Sequence, residues 1–187
     1  MDSIYEYIEK NYSAERKSHT EGVVKTAAIL AKQYGADPKK AEIAALYHDM
    51  YRGVKSEALN IFVKQLGLPD KYLNNPNLAH GKVAAIKMKQ DFNVTDTDIL
   101  NAVGFHTTGR PNMSMLEKVI FLADAIEPGR SYPGVEEVRL MAKEDIDKAC
   151  LLCLERTVNY IQQRGDYLDP DTLDARDWFQ KKEKINE

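Results

Sequence analysis

Four histidines, His19, His48, His80 and His106, are all the imidazoles this 187-residue chain has, and two dispersed carboxylates, Asp49 and Asp124, stand among them. One helical histidine by itself says little, so their joint placement has to carry the reading. His19 shares a helical face with Val23, Thr26 and Leu30 and should be largely buried. His48 continues the stripe Ala41, Ala44, Ala45, and Asp49 follows it just before the Arg52-Gly53 break. Neighbours on a helix diverge by about 100°, so both can grip one ion only where it sits over the helix end. Asp124 lies between Ala123 and Ala125 in the apolar run from Val119 to Ile126. Left unpaired there, a carboxylate costs several kcal/mol to desolvate, by an order-of-magnitude estimate of about that size. Lys118 and Arg130 are each six positions away, outside the three- or four-residue spacing that pairs side chains on a helix. A metal is therefore the expected partner. Imidazole nitrogen with carboxylate oxygen suits iron, manganese and zinc alike. Cys150 and Cys153 have no second pair to complete a zinc site, and at i, i+3 in Ala149–Leu154 they read as buried helix packing.

The order His19, His48-Asp49, Asp124 resembles the H…HD…D signature of the HD-domain metal phosphohydrolases, and His80 and His106 match the extra pair of their binuclear members. Longer stretches sharpen the likeness: His106-Thr107-Thr108-Gly109, Met113-Ser114, Leu116-Glu117-Lys118, Phe121-Leu122-Ala123-Asp124 and Ile126-Glu127-Pro128-Gly129-Arg130. They resemble the YqeK-type bacterial branch, symmetrical bis(5'-nucleosyl)-tetraphosphatases that cut diadenosine tetraphosphate into two ADP. The likeness spans residues 10 to 180 in round numbers, including Asp169-Pro170-Asp171-Thr172 and Ala175-Arg176.

This resemblance implies a divalent metal, iron, as one or two ions, with manganese or zinc as alternatives. His19, His48, Asp49 and Asp124 fall at the metal ligands, and His80 and His106 where a second ion or the substrate phosphates are met. The expected chemistry is attack of a metal-activated hydroxide on phosphorus, with Asp49, Asp124, His80 and His106 as the catalytic set. Arg52, Thr107 and Arg130, with His80 and His106, are expected to contact the phosphates. Arg52 stands where a lysine is common after the dyad, which exchanges a point charge for a fork. Arg16, three residues before His19, either helps orient the site or faces solvent. The alternative readings are an HD hydrolase acting on a dNTP, a nucleoside monophosphate or a guanosine alarmone, and a non-catalytic nucleotide-binding helical module.

The elements that must position these groups read as helices. Ala and Leu together (34) outnumber Val and Ile (23), with no alternating run long enough for a sheet. Ser13 caps a helix to Tyr34 with Gly35 as its stop, and Asp37 with Pro38 opens one through His48. Another runs near 56–66. Leu68-Pro69 and Asn74–Asn77 break the chain before helices at 78–91 and from Asp96 to Phe105. Ser114 caps an apolar helix to Ile126, followed by helices near 134–143 and 145–163 and by a last one after Asp169-Pro170 carrying Trp178. The fold expected is all-α: one compact HD-domain helical bundle over 1–187, with its core at 13–165 and the C-terminal helix, 170–185, packed on it.

A formal net charge of −3, with charges interspersed, disfavours nucleic acid as the main ligand and leaves a small dinucleoside polyphosphate substrate with ADP as product. Val119–Ala123 is far shorter than the ~18 residues of a membrane span, and Met1-Asp2-Ser3 does not open a signal peptide. The expected location is cytoplasmic, with no membrane partner. The Pro- and Asn-rich 69–77 segment and surface tyrosines suit a homodimer. The chain shows no G-x-S-x-G, G-x-x-x-x-G-K-[ST], G-x-G-x-x-G or H-E-x-x-H motif.

Overall fold

Capping chemistry written into the chain divides it into ten α-helices in this computed structural model, which describes residues 2–186. In chain order they are α1 (Asp2–Asn11), α2 (Ala14–Tyr34), α3 (Pro38–Tyr47), α4 (Ser56–Gln65), α5 (Pro76–Phe92), α6 (Thr97–Phe105), α7 (Met115–Ile126), α8 (Val135–Glu144), α9 (Ile146–Arg164) and α10 (Pro170–Asn186). A single 3-10 turn, Asp70–Tyr72, links α4 to α5. No strand occurs among the described residues, as the helical spacing predicts. No helix among them is long and apolar enough to cross a membrane.

The predicted caps form. Ser13 accepts from Arg16 N, Asp37 from Lys39 and Lys40 N, and Asp96 from Asp98 and Ile99 N. Ser114 and Glu117 complete a capping box at the start of α7. Gly35 ends α2 at φ 73°, a left-handed conformation that a residue without Cβ adopts freely. Three details differ from the sequence expectation. Pro76, read as part of a break, occupies the first turn of α5, where its fixed φ suits a helix start and its missing N–H loses nothing. α3 stops at Tyr47, leaving His48 as the cap and Asp49 in the turn beyond. α1 was not anticipated; its Ile4 and Ile8, one turn apart, are buried in the core, and Tyr7 donates its hydroxyl to Met50 O at 2.9 Å.

The core centres on α7, whose residues from Leu116 to Ala123 are all buried and which packs against α2, α3, α6, α8 and α9. The thiols of Cys150 and Cys153 are buried and unpaired in α9, and burial pushes Cys153 up to about 12. α10 lies along α9 and closes over the loop after α6. Gly109 in that loop has φ 65°, and a Cβ there would sit 3.3 Å from Ala175 Cβ of α10.

Candidate active site

Helix ends and inward faces bring all six residues singled out above to one place. His19 comes from α2, His80 from α5 and Asp124 from α7; His48 and His106 cap α3 and α6, and Asp49 follows His48. Each imidazole is aimed through Nδ1. His48 pairs with Ala45 O at 2.7 Å, His106 with Val103 O at 2.7 Å, His80 with Pro76 O at 3.1 Å and His19 with Glu127 Oε1 at 3.1 Å. These acceptors engage Nδ1 in all four rings, which leaves Nε2 as the nitrogen each ring turns inward. Those nitrogens converge: His19 and His48 Nε2 are 3.3 Å apart, and His80 and His106 Nε2 are 3.1 Å apart. Nitrogens so close together suit ligands that would share a cation.

The carboxylates complete two groups, His19/His48/Asp124 and Asp49/His80/His106, each with ligand atoms all within 4.8 Å of one another. Asp49, a member of the second, also faces the first. Its Oδ1 is 3.1 Å from His80 Nε2 and 3.8 Å from His106 Nε2, while Oδ2 is 3.4 Å from His48 Nε2 and 3.6 Å from His19 Nε2. Asp124 Oδ1 is 3.1 Å from His19 Nε2 and 3.9 Å from His48 Nε2. Convergent imidazoles with two carboxylates form a donor set that fits borderline divalent ions.

The electrostatics agree. Burial works to raise the Asp49 carboxyl, yet His48 and His80 hold it well below the usual range. Asp124 follows the same pattern, with His19, His48, His106 and Arg130 outweighing burial. Burial, with His80 and His48 alongside, pushes His106 down to about 3, so it stays neutral. Burial lowers His48 too, but Asp49 and Asp124 outweigh it and raise the ring above its ordinary value. The pocket calls for positive charge.

One premise of the sequence reading is overturned. Asp124 does have a cationic neighbour: Arg130 Nη2 bonds Asp124 Oδ1 at 2.5 Å and Arg130 Nε bonds Asp124 O at 2.7 Å. Helix spacing excludes this pair only if the helix continues, and α7 ends at Ile126. The turn through Pro128 and Gly129, closed by Arg130 N on Glu127 O at 2.9 Å, carries the guanidinium back. Arg16 similarly pairs with Asp49 Oδ2, which selects orientation of the site over a solvated face.

Above these groups opens a polar cleft of about 160 Å³, lined by Arg16, Asp49, Arg52, His80, His106, Thr107, Asp124 and Arg130. Arg52, Thr107 and Arg130, the expected phosphate contacts, thus line the same cleft as His80 and His106; Thr107 Oγ1 lies 3.2 Å from His106 Nε2. A larger hollow of about 280 Å³ between α9 and α10, near Asp147 and Lys182, contains none of them. Sequence reasoning gave no role to Glu127, the buried acid behind His19. The signal was a glycine, Gly22, set in mid-helix three residues after His19, where a glycine ordinarily weakens the helix.

A family model for the HD domain matches residues 16–129. A symmetrical bis(5'-nucleosyl)-tetraphosphatase of Halalkalibacterium halodurans is 42% identical over 167 residues, covering 89% of each chain. Its Bacillus subtilis counterpart of the same name is 39% identical over 173 residues, covering 92% of this chain and 93% of that one. The crystal structure of a predicted HD superfamily hydrolase involved in NAD metabolism, from Clostridium acetobutylicum, superposes with a TM-score of 0.92 at 40% identity over 97% of both chains.

Proposed function

The chain belongs to the HD domain family, and from that premise we propose that it is a metal-dependent phosphohydrolase cleaving diadenosine tetraphosphate symmetrically into two ADP. The observation that carries this reading is Asp49, whose two oxygens face two separate pairs of imidazole Nε2 atoms at the floor of a cleft rimmed by arginines. His19, His48, Asp49 and Asp124 would hold one divalent ion, and Asp49, His80 and His106 a second; iron is the first choice of metal. When bound, such ions supply a water of lowered pKa and positive charge opposite the phosphoryl oxygens.

The chain's own groups account for the rest. Nδ1 hydrogen bonds to Ala45, Val103 and Pro76 carbonyls fix three imidazoles, so little reorganisation remains when the substrate arrives. Arg52 and Arg130 offer forked donors to non-bridging oxygens, and Thr107 adds a hydroxyl. Arg16, at the same rim, neutralises the second oxygen of Asp49 and faces the path of the polyphosphate. Net reaction adds one water across the central anhydride and leaves two phosphates on each nucleoside.

Incubation with diadenosine tetraphosphate and a divalent metal, followed by chromatography of the nucleotides, tests this directly. ADP alone is expected. AMP with ATP, or no turnover with any of iron, manganese and zinc, overturns it.

A further inference from the structure

Among the four imidazoles, three rest their Nδ1 on neutral backbone carbonyls and one, His19, rests it on a carboxylate, Glu127. We propose that Glu127 makes the two halves of the centre unequal, so that the ion on His19, His48 and Asp124 is retained while the ion on Asp49, His80 and His106 exchanges. This rests on the metal-dependent reading above and adds a rank order and a residue that sets it. Glu127 touches no ion; it is a positioning residue acting through His19.

A carboxylate behind a ligating imidazole fixes the ring and strengthens Nε2 as a donor. Glu127 is built to stay there. Its side chain is 5% exposed, Oε2 accepts Gly129 N at 2.5 Å, and Oε1 meets His19 Nδ1 at 3.1 Å. α2 makes room for it with Gly22, where a Cβ would lie 2.5 Å from Oε2 and 3.3 Å from Glu127 Cβ. The charges are unequal as well: the His19 half faces Asp124 and one oxygen of Asp49 with Glu127 behind, whereas the His80 half faces only the other oxygen of Asp49. Arg16 and Arg130 offset part of this, but their side chains are 32% and 40% exposed and reach in from the cleft, where phosphate competes for them.

The test is titration of Mn²⁺ into chelator-treated, full-length protein, followed by calorimetry and by electron paramagnetic resonance. Two unequal steps are expected. His80→Ala should abolish the weak step and keep the tight one. Glu127→Gln, which keeps shape and removes charge, should weaken the tight step roughly ten- to a hundredfold and change the weak step far less. Gly22→Ala, which displaces the carboxylate without removing it, should move the tight step in the same direction while circular dichroism stays helical. Equal steps in the unsubstituted protein, or equal weakening of both by Glu127→Gln, overturns the inequality. Turnover of diadenosine tetraphosphate on the same samples reports the function separately: ADP formation with two equal steps sinks this inference alone, whereas no bound Mn²⁺ and no turnover sinks both.

Discussion

His80 Nε2 and His106 Nε2 face each other across 3.1 Å, both rings having already committed Nδ1 to a backbone carbonyl. Nε2 is thus the nitrogen each ring offers to a cation, and the nearest carboxylate oxygen is Asp49 Oδ1, 3.1 Å from His80.

Asp49→Asn keeps the volume and removes the charge that both halves share. Loss of a shared ligand should exceed the roughly 10–100-fold effect typical of a residue that merely supports a ligand. Turnover should fall below about 1% and bound metal should drop; elemental analysis of the purified variant with a matched assay checks both. Full metal content would contradict the assignment.

Gly81→Ala tests the packing behind that pair. A Cβ at Gly81 would lie 2.9 Å from His106 Cε1 and 3.0 Å from Val103 O, and the carbonyl is backbone that cannot step aside. Replacing a mid-helix glycine by alanine normally gains about 0.5–1 kcal/mol, but overpacking costs about 1–3 kcal/mol, so the variant should be less stable in urea and bind less metal. A higher urea midpoint would show that the helices separate freely.

Arg52→Ala removes a forked donor from the cleft wall. Hydrogen bonds to charged groups contribute about 1.5–3 kcal/mol, which converts to a rise in KM of roughly ten- to a hundredfold. Arg52→Lys should recover part of it. Steady-state kinetics with diadenosine tetraphosphate decide; unchanged KM would remove Arg52 from the site.

Lys82 supplies a pH-dependent case. Its Nζ lies 3.2 Å from the Phe105 ring centre and 3.6 Å from Asp171 Oδ2, with 11% of its side chain exposed. Burial pulls it down to about 8 although Asp171 and Asp169 pull upward. The unfolded chain titrates near 10.4, so between those values it binds more protons than the folded one, and stability rises with pH there. Below pH 8 the folded state bears the whole cost of the charge. Lys82→Met should therefore stabilise the protein by about 1–3 kcal/mol at pH 7, and the gap should narrow towards pH 10. Paired urea titrations at the two pH values measure it, and a constant gap would refute the assigned cause.

Helix boundaries at Ser13, Asp37, Asp96 and Ser114 were legible because capping is decided within about four residues of sequence. His19, His48 and Asp124 were legible as inward positions on their helices, Asp49 as the neighbour of His48, and His80 and His106 through the family resemblance. Glu127 and the Arg130–Asp124 pair were not, since both depend on the path the chain takes after α7 ends at Ile126. Spacing rules within a helix say nothing about a loop that doubles back. With Asp124 partnered by Arg130, the crowded imidazoles, more than a stranded carboxylate, are what call for an ion. α1 escaped notice because Ile4 and Ile8 make too short a stripe to stand out.

Gly109 lies against Ala175 of α10, a few residues past His106 and Thr107. Those two side chains therefore take their bearing partly from a helix far along the chain. With α10 undocked the imidazoles keep their own helices, but this brace on the cleft wall is gone. Turnover should therefore depend on α10 staying docked, even though it supplies no ligand to the site.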